Sequence, residues 1–226
     1  MKIVVIVFLT ALLHAEVHKG HADDYRGELS ISINNLFCIK TTEQGEDEIY
    51  FIVTAKTSDG RTFKSRVPKG EKHYSVNDGN DDENRVRFKG GKELLRIPLE
   101  LDQSAIITVT VMEQDRGDQS KWADLAENIV RESGTNTGWE AWLVATIGSL
   151  FANNPDDHVG TFEIRVGKTK HEWKAISGVS ILGRHPNDPY YHQLPPQENL
   201  RTIKFRGSGR YSANFIFLRH LVKKKH

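Results

Sequence analysis

Apolar residues recur with a period of two along most of this chain, and that pattern admits few folds. Leu29, Ile31 and Ile33 alternate with Glu28, Ser30 and Ser32. Residues 49–54 (Ile-Tyr-Phe-Ile-Val-Thr) are β-branched and aromatic and predict a central strand. Residues 106–112 are another such run, and 161–166 alternate again. Near the end, Tyr211, Ala213, Phe215 and Phe217 occupy one face of a strand that needs a second sheet to cover it. Turn chemistry separates the runs: Gly45, the Ser58-Asp59-Gly60-Arg61 hairpin turn, and Gly207-Ser208-Gly209. Pro98 cannot donate to a ladder, so residues 94–101 predict an edge strand. Together these indicate an all-β fold, an antiparallel β-sandwich.

Helical periodicity is confined to one place. Between the strands at 106–112 and 161–166 the chain inserts residues 117–154. Trp122, Leu125, Ile129 and Val130 repeat at helical spacing; after a Gly/Ser/Asn break, residues 139–151 are apolar on most faces, with Trp139, Trp142, Leu143 and Phe151 among them. This predicts a helical hairpin. It either packs on the sandwich or dips into a membrane interface, since about thirteen residues are too few for a full crossing. Beyond Val166, residues 168–226 predict a β extension packed on the sandwich, with a C-terminal hairpin from residues 201–205 and 211–218.

Charge and cysteine content narrow the function classes. The chain has 226 residues and a formal net charge of +1, enough length for a real core and no global field toward nucleic acid. Lys2 followed by an apolar stretch and small residues reads as a signal peptide over residues 1–22, which implies a secreted protein in an oxidising, calcium-rich medium. The single cysteine, Cys38, lies in an apolar run and reads as a buried small hydrophobe. No Gly-rich phosphate loop, His-Glu-x-x-His or nucleophile elbow is present, so an enzyme is not the expectation.

The chemistry-bearing residues are carboxylates at strand ends. Glu113 and Asp115 follow the run at 106–112, and Asp156 and Asp157 precede the one at 161–166. Two such strands can bring these oxygens to one rim of a sheet. Clustered carboxylates repel one another, and a hard cation such as calcium offsets that repulsion. A rim of solvated charges that keeps sheet edges apart is the alternative.

Three stretches resemble the C2 domain, a calcium- and phospholipid-binding β-sandwich. Asp47-Glu48-Ile49-Tyr50 stands where that family has Asp-Pro-Tyr-Val. Val111-Met112-Glu113-Gln114-Asp115 is similar to Val-Trp-Asp-x-Asp, and Asp156-Asp157-His158-Val159-Gly160 to Asp-Asp-x-Ile-Gly. The resemblance covers roughly residues 29–166. It implies a C2-like sandwich with Glu113, Asp115 and Asp157 as third-loop calcium ligands, Asp156 beside them, and Asp47 or Glu48 with Glu43 in the first loop. Glu113 replaces an aspartate, the proline after Asp47 is absent, and the third loop is far longer than usual.

The expected function is a secreted calcium-binding module acting on membrane lipid, a glycan or an extracellular protein. Its contact residues would be Trp122, Trp139, Trp142, Leu143 and Phe151. A membrane-damaging toxin or defence protein that uses the insertion, and an extracellular structural subunit that forms homo-oligomers, are the alternatives.

Overall fold

Each alternating run becomes a strand because its apolar side chains have another sheet to bury against. The computed structural model describes residues 25–42, 45–70, 72–79, 84–114, 126–127, 157–168, 170–182, 200–207 and 209–223. The strands are β1 (Tyr25–Lys40), β2 (Asp47–Thr57), β3 (Thr62–Val67), β4 (Tyr74–Val76), β5 (Arg85–Pro98), β6 (Ala105–Glu113), β7 (Asp157–Val166), β8 (His171–Ser177), β9 (Val179–Leu182), β10 (Leu200–Phe205) and β11 (Arg210–Lys223). They form two antiparallel sheets. The first has the order β5-β1-β11-β10-β9; the second has β3-β2-β6-β7-β8, with β4 pairing to β2.

The sheets stack as a β-sandwich around one core. Ile31, Ile33, Phe215 and Phe217 come from the first sheet, and Phe51, Val53, Val109, Val111 and Phe162 from the second. The Phe162 and Phe215 rings meet edge-on with centroids 4.8 Å apart, and Phe51 and Phe215 do so at 6.2 Å, so Phe215 joins both layers. Such aromatic pairs add to plain area burial. No helix among the described residues is long and apolar enough to cross a membrane.

The C-terminal segment is built into the sandwich rather than laid on it. The hairpin expected from its sequence is present as β10 and β11, but β11 lies between β1 and β10 and pairs with β1 from Tyr25↔Lys223 to Lys40↔Arg210. The segment from His171 to Leu182 divides between the sheets. β8 pairs with β7, and β9 pairs with β10. Gly178 makes the step, with φ +63° and a Cβ position 3.0 Å from the Val159 carbonyl oxygen. The physical reason is local: a glycine at positive φ turns the chain out of one ladder before it can fold back on itself.

The signal sequence read at residues 1–22 lies outside the described residues. So does the insertion, apart from Ala126 and Glu127. Ala126 is buried, and the Glu127 carboxylate pairs with Lys64 Nζ at 3.0 Å. Lys64 is the register partner of Thr54, whose parity places it on the outer face of the second sheet. The central part of that face is not open to solvent: Ile52, Thr54, Thr108, Thr110, Met112 and Glu163 are buried there.

Candidate functional site

One end of the sandwich collects the polar chemistry. It holds the end of β1, the start of β2, the end of β6, the start of β7 and the β10–β11 turn. The antiparallel register sets Glu113 opposite Asp157 across β6 and β7, and opposite Ile49 across β2. Directly opposed residues share a face, with Cβ atoms roughly 5 Å apart. The register therefore places Glu113 opposite Asp157 at the rim. A β-bulge between Val111 and Met112 sets the register, since Val111 pairs with Gly160 and Met112 with His158.

The two carboxylates are not equally placed. Glu113 is 1% exposed, and its Oε1 accepts from the Glu48 backbone N–H at 3.4 Å. Asp157 is half-buried. His158, next to it, shares a hydrogen bond with Thr161 Oγ1 at 2.9 Å, and burial lowers its pKa to about 4, so the ring is neutral.

Asp47 is fully buried and works differently from a first-loop metal ligand with a free face. Its Oδ1 accepts from the Thr42 hydroxyl at 2.9 Å, and its Oδ2 from the Thr42 backbone N–H at 2.8 Å. The Tyr211 hydroxyl also donates to Oδ2. Burial first, then the bond to Asp47 and the negative charge of Asp47, push the Tyr211 pKa far above its ordinary value. Asp47 is thus a latch between the loop before β2 and strand β11. Glu48 points the other way, where its Oε2 lies 3.3 Å from His73 Nδ1.

Tyr211 and Thr42 are partners of Asp47 that the sequence pattern does not announce. Tyr211 lies on a core face, as its alternation with neighbours predicts, but a buried tyrosine hydroxyl needs a hydrogen-bond partner. That requirement was the available signal. Glu43, Asp115 and Asp156 lie outside the described residues, as do Trp122, Trp139, Trp142, Leu143 and Phe151.

Glu113 and Asp157 offer hard oxygen donors of the kind calcium takes, and calcium needs six to eight. Among the described residues no group of three His, Cys, Asp or Glu side chains is close enough to complete a metal centre. Asp115 and Asp156 are within two residues of this pair in the chain.

A second constellation lies on the same rim. Lys40, Lys204, Arg206 and Arg210 line a cavity of about 600 Å³ whose wall includes the exposed Ile39. Gly207 joins it to the carboxylate side. A Cβ there would lie 2.4 Å from the Val159 carbonyl oxygen and 2.6 Å from that of His158. Only glycine allows the β10–β11 turn to sit against the start of β7.

No family model matches the chain, and no curated protein matches it either. Two solved structures of human GIVD cytosolic phospholipase A2 align with it, both in complex with methyl gamma-linolenyl fluorophosphonate and one also with terbium chloride. Identity is 10% and 11%, and the TM-scores are 0.35 and 0.32. The alignments cover 87% and 86% of this chain but 17% of the phospholipase chain in each case.

Proposed function

We propose that the protein is a calcium-assisted binding module that docks on a phospholipid surface through the rim carrying Glu113 and Asp157. The observation that supports this most is the register of β6 and β7, which brings two carboxylates from separated parts of the sequence to one point at the end of a two-layer scaffold. Calcium would draw on their oxygens and on further oxygens from the adjoining loops. Bound there, it would turn an acidic rim into one that can face anionic headgroups. The rigid sandwich positions the rim; the loops between strands supply the contact. A secreted location accords with the N-terminal sequence and with weak calcium sites of extracellular modules, which fill at 10⁻⁴–10⁻³ M.

The test is a calcium titration followed by thermal unfolding, paired with vesicle co-sedimentation in calcium and in chelator. A ligand held only by the folded state must raise its stability, by about 2.7 kcal/mol at a hundredfold excess over Kd. Calcium should raise Tm and vesicle binding for the native protein, and do neither for Asp157→Asn. A Tm unmoved by millimolar calcium would overturn the calcium assignment.

A further inference from the structure

The cavity between the end of β1 and the β10–β11 turn is the most one-sided charge feature of the described rim. Lys40, Lys204, Arg206 and Arg210 line it, and no carboxylate does so among the described residues. Lys40 and Arg210 are register partners, so the β1–β11 ladder fixes them side by side. Arg206 is anchored by its backbone, whose N–H donates to the Gly178 carbonyl at 2.7 Å. None of the four is in an ion pair with another described residue. Four like charges held together repel, and an anion entering between them relieves that repulsion. Arginine presents a planar fork that matches phosphate oxygens in pairs, and lysine adds a point charge.

Ile39 selects between sources of phosphate. It is 48% exposed and belongs to the same cavity wall. A soluble phosphate ester has no use for an exposed aliphatic side chain beside the cations. A membrane interface has use for both, because apolar side chains enter the headgroup region while basic ones meet its negative surface.

We propose that this cavity receives the phosphate of an anionic membrane lipid, with Arg206 and Arg210 on the headgroup and Ile39 entering the interface. This rests on the lipid-surface reading above and gives it a second contact that does not use calcium. Because Gly207 packs the turn against Val159 and His158, the cationic cavity and the Glu113–Asp157 pair would meet one membrane plane together.

The experiment uses the full chain and vesicles of phosphatidylcholine with and without phosphatidylserine, in chelator. The native protein should bind the anionic vesicles, and Lys204→Gln/Arg206→Gln/Arg210→Gln should bind them about 100-fold more weakly at unchanged Tm, close to fivefold for each charge removed. Ile39→Ser should weaken binding while keeping the preference for anionic lipid. Equal binding by the triple variant, or no binding of the native protein in chelator, would overturn the proposal. Displacement by low-millimolar inorganic phosphate at matched ionic strength would make the ligand a free phosphate and overturn the lipid assignment. A triple variant that binds as well as the native protein in chelator and keeps full calcium-dependent binding would remove this site and leave the calcium reading standing. Charge-dependent binding indifferent to calcium would do the reverse.

Discussion

The Tyr211 hydroxyl donates to Oδ2 of Asp47, a fully buried carboxylate 164 residues away in sequence. The bond crosses from one sheet to the other and reaches the loop before β2 through Thr42. Tyr211→Phe keeps the ring and removes the donor, leaving a buried carboxylate short of a partner. Loss of a hydrogen bond to a charged group predicts destabilisation of about 1.5–3 kcal/mol in urea unfolding. Thr42→Ala should loosen the same loop by removing a second donor.

Gly207 and Gly60 separate two reasons for glycine. At Gly207 a Cβ meets backbone oxygens at 2.4 and 2.6 Å, whereas Gly60 has open space around it and a φ of +86°. Gly60→Ala should lose about 1 kcal/mol from backbone strain. Gly207→Ala should lose more, because β7 or the β10–β11 turn must move. Thermal unfolding of the two variants side by side checks the order.

Cys38 gives a pH signature. Its thiol is 1% exposed, and burial, with the charges of Asp47 and Asp78, raises its pKa from 9.0 to about 12. Between those values the unfolded chain releases the proton and the folded chain keeps it. Stability from this group is therefore complete below pH 9 and lost as pH rises toward 12, by something on the order of 4 kcal/mol. The stability difference between native protein and Cys38→Ala should narrow over that window. Alkylation of the native thiol at pH 8 should proceed only through unfolding.

Arg66 organises the connection from β3 to β4. One guanidinium nitrogen donates to the carbonyls of Pro68, Gly70 and Lys72 at 2.8, 2.5 and 2.8 Å, the other to Gln114 Oε1 at 3.0 Å. The group also stacks on Tyr50 at 4.1 Å. A lysine ammonium cannot span these partners. Arg66→Lys should lose about 1–3 kcal/mol and expose the turn at 68–70 to limited proteolysis.

The strands were legible wherever burial is one-sided. The inward positions of β11 alternate cleanly from Tyr211 to Phe217, those of β1 do so from Leu29 to Ile33 before a register shift, and Pro98 does lie in an edge strand. The alternation at 94–101 marks only part of β5, which starts at Arg85 and ends at Pro98; Gly90 and Gly91, at φ +75° and +83°, carry it past an irregularity opposite β1. The opposition of Glu113 and Asp157 could be anticipated because strand ends that flank an insertion return to the same rim. The partnership of Asp47 with Tyr211, and the cationic cavity, could not. Each joins residues far apart in sequence through a sheet order that local periodicity does not encode.

The place of β11 between β1 and β10 has a consequence for synthesis. β1 is the earliest described strand to leave the ribosome, and its partner on this side is the last. Until β11 is translated, the apolar residues Leu29, Ile31 and Ile33 sit on a strand with one open ladder edge. Such an edge recruits other nascent chains, so yield in expression should depend on chaperone capacity during that interval more than on the stability of the finished molecule.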